Sequence, residues 1–449
     1  MRHNIVGDFA RLPRHTYPIA ERAVFLSPDP GIGNVLLRWD VLERQLGCRL
    51  DPLSRDLCEI STYVYLADKA VARGELDHWS RRLAFLVPVR LPERWNAVKP
   101  LLQKTVASLT GDSVAFRFVK RQSQDENAGG APNPEHFSLV PQAADCVSLF
   151  SGGLDSFAGA AYLLSGGRRP AFVGHYANPT LRTLQAELMA GLRRRFDYDG
   201  EHLQYRITSR KTTRTRHVYV RRESSHRARS FLFLSFAAVV AAARGLSEIF
   251  ICENGVLALN IPLSEARQGT RCSRHAHPVY LRHFNDLVAA LYGASFEVRN
   301  PFLFWTKAEE TQLLVEAGLG AAIRETVSCW NYPNLTLHFK EGHHCGFCTP
   351  CVVRRLSVAA AGAERHDDRY ALNIFGVDRT EHVELRRNVN DLLFFCRCFA
   401  REPIGRLVYR FPDLVGIEAA REDVGEDKLR AIMRVYKSFA TATLPLFAS

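Results

Sequence analysis

The spacing of apolar residues follows two different patterns along the chain. Over the first 121 residues the clearest pattern lies at 51–73, where apolar residues recur at helical spacing up to the glycine at position 74. The next segments predict a strand at 82–89, a helix at 92–109 and a second strand at 113–119. We expect an N-terminal unit of α+β or α/β type.

A second pattern begins after a stretch rich in Gly, Pro, Asn and Asp at 122–136. Short apolar strands are predicted at 146–150, 171–175, 202–208 and 248–252, with helical segments between them. This alternation is typical of α/β proteins with a doubly wound parallel sheet, which bind ligands at the carboxyl ends of their strands. From residue 286 onward the pattern is mostly helical.

The predicted organisation has four parts. They are an N-terminal α+β domain (1–121), a linker (122–140), a ligand-binding α/β domain (141–360) and a helical C-terminal extension (361–449).

Composition excludes several protein classes. With 449 residues, 47% hydrophobic and 24% charged, the chain is expected to be globular and neither disordered nor fibrous. The net charge of +12 favours anionic partners but leaves nucleic acid undecided. The longest apolar stretch, 231–243, is shorter than the roughly 20 residues that span a bilayer. We therefore expect a cytoplasmic protein without membrane contact, in which 11 cysteines indicate metal or redox chemistry and not disulfides.

The strongest local motif follows the strand at 146–150 and opens an alanine-rich helix. It consists of Ser151, Gly152, Gly153, Leu154, Asp155 and Ser156. Two glycines let backbone N–H groups approach a phosphate, and Asp155 can cap the helix or hold Mg²⁺. The loop lacks the GK[ST] ending of a Walker P-loop, so transfer of a γ-phosphate is disfavoured. The structural alternative is a glycine turn that only caps a helix.

Four cysteines have the spacing of metal ligands. Cys345, Cys348 and Cys351 lie within seven residues, and Cys329 lies 16 positions before the first of them. Four thiolates suit tetrahedral zinc. An iron–sulfur cluster is the alternative metal centre, and free core cysteines are the structural alternative.

The glycine loop resembles the signature of the PP-loop ATP pyrophosphatases. This resemblance implies binding of ATP, adenylation of a substrate oxygen and release of pyrophosphate. Together with the cysteine cluster, the loop resembles the 7-cyano-7-deazaguanine synthase (QueC) family, which pairs a PP-loop with four zinc-binding cysteines. The resemblance extends over about 146–355, and it implies ATP, Mg²⁺ and Zn²⁺ as cofactors and a 7-deazaguanine carboxylate as substrate.

Family resemblance also assigns individual residues. It implies catalytic roles for Asp155, Arg229 and Lys307, and contacts of the six loop residues and Tyr176 with ATP. Two of three positions depart from the family's Tyr-Gly-Gln around Tyr176, and Ser230 replaces an asparagine after Arg229.

Further ligand contacts are expected after the strand at 248–252. Glu253 and Asn254 are candidates for substrate or magnesium binding, with a simple turn as the alternative. Arg274, in a loop with His275 and His277, could contact the deazaguanine edge, with surface exposure as the alternative. Most of the basic run at 206–229 is expected to be a solvated loop, Arg229 excepted.

The chain is about twice as long as standard members of the family, and in this it resembles the enlarged, QatC-like branch found in bacterial anti-phage defence islands. That branch implies an ATP-dependent carbon–nitrogen ligase whose acceptor is ammonia, a protein amine or a nucleic-acid base. Two other functions stay open. One is a tRNA-modifying thiolase, for which Cys252 is the candidate cysteine, and the other is a non-catalytic nucleotide-binding scaffold of a defence complex.

Overall fold

A four-stranded parallel sheet forms the N-terminal side of the computed structural model. The structure describes residues 2–12, 23–29, 33–73, 80–122, 144–209, 223, 227–262, 274–332, 344–376, 378–414 and 426–447. The strands lie in the order β2-β1-β4-β5. Their bounds are β1 Arg2–Gly7, β2 Ala23–Leu26, β4 Arg82–Val89 and β5 Ser113–Lys120. All pairs are parallel, so of the two arrangements that the sequence left open this unit has the α/β one.

Three helices connect these strands. They are α1 Trp39–Leu46, α2 Pro52–Ala70 and α3 Pro92–Thr110. The predicted helices are confirmed, and their ends have local causes. The Asp51 side chain accepts hydrogen bonds from two N–H groups in the first turn of α2, and α3 ends at Gly111, whose φ of 73° favours glycine.

A second parallel sheet has five strands in the order β11-β10-β6-β7-β8. Its strands are β6 Cys146–Leu149, β7 Pro170–His175, β8 His202–Tyr205, β10 Glu248–Phe250 and β11 Glu297–Arg299. The predicted alternation of strands and helices is confirmed. The segment predicted as one strand at 202–208 ends at Tyr205, and Thr208–Ser209 (β9) pairs instead with Val35–Leu36 (β3) of the N-terminal unit. Strand β11 was not predicted from the sequence, because Val298 is its only buried residue and no alternation of apolar residues marks it.

Helices on and beyond this sheet complete the chain. Those of the sheet region are α4 Leu154–Ser165, α5 Pro179–Phe196, α6 Arg229–Ala243, α7 Gly255–Leu259, α8 Pro278–Tyr292 and α9 Lys307–Glu316. The later ones are α10 Thr349–Ala360, α11 Asp378–Glu381, α12 Val383–Arg401, α13 Ile404–Arg410 and α14 Glu426–Thr443. The helical character predicted for the C-terminal extension is confirmed in its described part.

The N-terminal unit and the five-stranded sheet share one hydrophobic core. Helix α2 packs on α6 and α3 packs on α8, so that buried side chains of both parts belong to the same cluster. Buried ion pairs reinforce this contact, because Arg81 pairs with Asp112 and Asp68, and Asp68 Oδ2 accepts a hydrogen bond from the Ala228 N–H at 2.9 Å. The end of α2 is thereby held at the start of α6.

Some predictions fall outside the described residues. These are Gly74, nearly all of the linker, and most of the basic run between 206 and 229. The domain limits remain a prediction.

Candidate functional site

The glycine loop leaves β6 at the carboxyl edge of the five-stranded sheet and leads directly into α4. Gly152 has a φ of +82°, and a Cβ atom there would lie 2.9 Å from Leu184 Cδ2, so both backbone and packing require glycine. Serine side chains hold the turn, since Ser156 Oγ accepts from the Ser151 N–H at 3.2 Å and Ser151 Oγ accepts from the Gly153 N–H at 3.2 Å. The 12-residue helix α4 thus starts at a tight loop with its N-terminus at the sheet edge, a geometry suited to anions.

Asp155 and Lys307 form a buried ion pair next to this loop. Lys307 is the first residue of α9, which begins with a capping box between Thr306 and Glu309. Its side chain is 2% exposed and donates to Asp155 Oδ2. The Asn254 amide donates to the other carboxylate oxygen of Asp155 at 2.8 Å. Three predicted site residues from β6–α4, β10–α7 and α9 are therefore in contact.

Charges around this pair shift several pKa values. Burial lowers the pKa of Lys307, but the charge of Asp155, followed by that of Glu253, outweighs burial and raises that pKa overall. Burial likewise raises the pKa of Asp155, yet the charge of Lys307 and hydrogen bonds outweigh it and lower the pKa. Glu310, also on α9, is fully buried, and burial together with the Asp155 charge raises its pKa well above the usual range. These shifts keep Lys307 and Asp155 charged at neutral pH and favour the protonated form of Glu310.

A second polar pair lies beside the first. His275 Nε2 is 2.5 Å from Glu253 Oε2, and the Asn254 amide donates to Glu253 Oε1 at 3.0 Å. The Ser230 hydroxyl donates to the His275 carbonyl at 2.6 Å and so ties this loop to α6. Burial lowers the pKa of His275, but the Glu253 charge outweighs burial and raises it. The Glu253 carboxylate thus favours the protonated form of His275 at the same edge of the sheet.

A cavity of about 1480 Å³ is lined by Asp155, Lys307, Glu253, Ser230 and His275. The predicted site residues on its wall are Ser151, Gly153, Asp155, Ser156, Arg229, Glu253, Lys307 and Cys329. Such a volume is larger than that of pockets for a single small ligand, which reach roughly 1,000 Å³. The cavity therefore has room for more than one ligand.

Other predicted site residues lie off the cavity wall. Gly152 and Leu154 are buried behind the loop, and Asn254 is fully buried behind Asp155. Tyr176 lies between the wall residues His175 and Ala177 in sequence. The guanidinium carbon of Arg182 lies 5.7 Å from the centre of the Tyr176 ring. Arg274 does not join the group, because it is exposed and its guanidinium donates to the Ser108 carbonyl at 3.4 Å.

Sequence reasoning missed wall residues from both ends of the chain. Tyr65 and Lys69 come from α2, and Val383 and Arg387 come from α12. One feature could have indicated Lys69: it is a lysine in the last turn of α2, a helix that is buried on almost every side. The side chains of α12 gave no comparable signal.

The four predicted metal ligands meet in one place. The Sγ atoms of Cys329, Cys345, Cys348 and Cys351 all lie within 4.8 Å of one another, and all four residues are buried. Cys345 and Cys348 lie in the turn before α10, and Cys351 lies in its first turn. The turn requires glycine at position 346, where φ is +82° and a Cβ atom would lie 2.1 Å from the Leu372 carbonyl oxygen.

This cluster fits a tetrahedral metal ion. Zinc–sulfur bonds of about 2.3 Å imply sulfur–sulfur distances of about 3.8 Å, and Cys345 Sγ lies 3.9 Å from Cys351 Sγ. Backbone N–H groups of Asn331 and Cys348 point at Cys329 Sγ and Cys345 Sγ at 3.3 and 3.4 Å, which stabilises thiolates. Hydrogen bonds from Cys329, Cys348 and Cys351 lower the pKa of Cys345. Cys329 also lines the cavity, so a bound ion would adjoin it.

Among the described helices, none combines the length and apolar composition that crossing a bilayer demands.

Comparisons with known proteins point to one family. The family model for the queuosine biosynthesis protein QueC matches residues 206–362, which contain Arg229, Lys307 and all four clustered cysteines. The chain is 29% identical over 141 residues to 7-cyano-7-deazaguanine synthase 2 of Desulfitobacterium hafniense, covering 30% of this chain and 51% of the relative. It is 31% identical over 137 residues to 7-cyano-7-deazaguanine synthase of Rhizorhabdus wittichii, covering 30% and 52%.

The chain thus spans about half the length of the curated relatives it matches. What is established is an α/β protein with a QueC-like domain, a cysteine cluster able to hold zinc and an additional N-terminal unit.

Proposed function

We propose that this protein is an ATP-dependent ligase that adenylates the carboxylate of a 7-deazaguanine, such as 7-carboxy-7-deazaguanine, and releases pyrophosphate. The observation that carries the proposal is the glycine loop at the carboxyl edge of a parallel sheet, with the Asp155–Lys307 pair beside it and the QueC-like segment, which contains Lys307, later in the chain. The synthases that the chain resembles are named for a 7-deazaguanine product.

The first step forms a mixed anhydride. A carboxylate is a poor electrophile because its oxygen is a bad leaving group. Its oxygen attacks the α-phosphorus of ATP, the bond between the α-phosphorus and the bridging oxygen breaks, and pyrophosphate leaves with that electron pair. The loop N–H groups and the α4 N-terminus hold the departing phosphates, while Lys307 and Arg229 offset charge that develops on them.

The second step is attack by an amine on the activated carbonyl, with AMP as the leaving group. Ammonia would give an amide, which a second adenylation could dehydrate to a nitrile. A protein amine would give a conjugate, and we propose this as the route to a role in anti-phage defence. A nucleic-acid base is the third acceptor. No enzyme nucleophile is needed, so catalysis rests on positioning and charge.

Metal ions have separate roles in this proposal. Cys329, Cys345, Cys348 and Cys351 would hold Zn²⁺, and a closed set of four thiolates supplies structural stability and no open catalytic position. Mg²⁺ would accompany ATP, as it does in phosphate chemistry generally.

The thiolase alternative has less support. Its candidate Cys252 is buried against Gly159 in α4, and burial raises the pKa of the thiol well above its usual range, so that it is not a thiolate at neutral pH.

Exchange between ATP and labelled pyrophosphate tests the proposal. We expect exchange that depends on 7-carboxy-7-deazaguanine and is abolished in Asp155→Ala. Background exchange with that compound present overturns it, and ATP binding without exchange selects the scaffold alternative. Intact-mass analysis of partner proteins incubated with enzyme, ATP and the compound then identifies the acceptor class, since only conjugation increases the partner's mass.

A further inference from the structure

The last turn of α2 places N-terminal residues on the wall of the cavity. Tyr65 and Lys69 line it together with Ser151 and Arg229. Tyr65 is 5% exposed and meets His175, at the end of β7, edge to face with ring centres 6.1 Å apart. A helix from outside the QueC-like segment therefore forms part of the same wall as the glycine loop.

Buried contacts fix the position of this turn. Asp68, next to Lys69 in sequence, is 1% exposed and accepts from the Ala228 N–H directly before α6. Arg81 pairs with the other carboxylate oxygen of Asp68, Oδ1. Because Arg229 is the first residue of α6, one carboxylate sets both Lys69 and Arg229 in place.

The two cations have no ion-pair partner within the described part of the chain, although Glu223 and Glu253 line the same cavity. Lys69 Nζ lies 5.3 Å from the centre of the Tyr65 ring, and no ion pair involves it or Arg229 there. Arg206, at the end of β8, has a buried Nε atom without a hydrogen-bond partner among the described residues. Burial, followed by the charges of Arg229, Lys69 and Arg206, lowers the pKa of His175 to about 3, and the His175 ring accepts the Ile207 N–H at Nε2, as a neutral imidazole does.

A positive cluster beside an anion-binding loop suits a phosphate group. Lysine binds phosphate as a point charge, and arginine binds it through its planar fork. Lys69 and Arg229 line the same cavity as the loop, which favours a nucleotide over a nucleic-acid strand.

We propose that Lys69 of the N-terminal unit, together with Arg229, binds a phosphate group of the nucleotide, so that the N-terminal unit completes the nucleotide site. This assignment rests on the proposed function for the identity of the nucleotide as ATP. It makes the N-terminal unit part of the catalytic machinery and not an appended module.

Calorimetric titration with ATP and with adenosine tests the assignment. We expect Lys69→Gln to raise the Kd for ATP by about tenfold, the effect of losing one charged contact, and to leave the Kd for adenosine unchanged. Lys69→Arg should retain most of the affinity for ATP. The control Lys104→Gln, an exposed lysine of α3 outside the cavity, should bind ATP like the wild type.

A footprinting experiment on the wild-type protein covers the case in which variants fail to fold. ATP, but not adenosine, should protect Lys69 from acetylation as measured by mass spectrometry. An unchanged Kd for ATP in Lys69→Gln, equal weakening for adenosine, or protection by a single-stranded RNA and not by ATP overturns the assignment. If Lys69→Gln weakens ATP binding but the wild-type protein shows no exchange between ATP and pyrophosphate, the proposed reaction is wrong and the assignment of Lys69 to the nucleotide site stands.

Discussion

Asp155 and Lys307 are 152 positions apart in the chain, yet they form a buried ion pair beside the glycine loop. Asp155 stands in the first turn of α4 and Lys307 opens α9. Removing one partner of a buried pair leaves the other charge uncompensated, which costs about 3–5 kcal/mol. The pair therefore connects the stability of the site with its chemistry.

Asp155→Asn should reduce pyrophosphate exchange by about two orders of magnitude, because Lys307 loses the charge that positions it. The matched control is Asp145→Asn, an exposed residue that pairs with Arg168 before β6. Exchange should be unaffected in the control. Comparable rates in both variants would show that Asp155 has no role in the reaction.

Glu310→Gln should keep both exchange activity and melting temperature at pH 7. Burial and the Asp155 charge raise the pKa of Glu310 and so favour its protonated form, which glutamine matches in shape and in its lack of charge. Activity assays and thermal melts of the purified variant provide the check. A loss as large as that in Asp155→Asn would mean that an ionised Glu310 is required.

Cys348→Ser should lose the bound metal and melt at a lower temperature, since a structural zinc site contributes directly to folding. Cys398→Ser is the control, because this buried thiol lies in α12 outside the cluster. Metal analysis by mass spectrometry should give one zinc per chain for the wild type and the control. Iron with absorbance near 400 nm would instead identify an iron–sulfur cluster.

Asp68→Ala should lower the free energy of unfolding by about 3 kcal/mol, since the buried Arg81 would keep only Asp112 as its ion-pair partner and the Ala228 N–H would lose its acceptor. It should also weaken ATP binding, because the start of α6 loses its anchor. The control Asp40→Ala removes an exposed partner of Arg38 and should cost less than about 1 kcal/mol. Urea unfolding of the two variants measures both values, and equal costs would contradict a role of Asp68 in joining the units.

His202→Phe should make the protein less sensitive to acid. Burial, assisted by the Arg193 charge, lowers the pKa of His202 to about 4, whereas an unfolded histidine titrates near 6.5. Its contribution to stability is therefore present above pH 6.5 and is lost as the pH falls toward 4, because the unfolded state takes up the proton first. Melting temperatures measured from pH 7 to pH 4 should fall less steeply in the variant, and parallel profiles would refute the prediction.

Local sequence was sufficient for the features that depend on neighbouring residues. The glycine loop and the cysteine turn are short, contiguous segments. Each contains a glycine, Gly152 or Gly346, at a positive φ angle that only glycine adopts easily, so the local sequence indicates the turn. The rhythm of strands and helices was readable for a similar reason, since the period of apolar residues reflects which side is buried. Arg274 shows that a position in a loop does not by itself place a side chain in the site, since its guanidinium donates to the Ser108 carbonyl and does not line the cavity.

The sequence by itself determined the type of sheet, the glycine loop between β6 and α4 and the set of four clustered cysteines. Only the tertiary structure decided which distant side chains share the cavity: Lys307 beside Asp155, His275 beside Glu253, and Lys69 on the wall formed by α2. The physical reason is that backbone conformation and burial periodicity are encoded over a few residues. Which residues of α2, α6 and α9 line one cavity depends instead on how separate helices pack, and no local pattern specifies this packing.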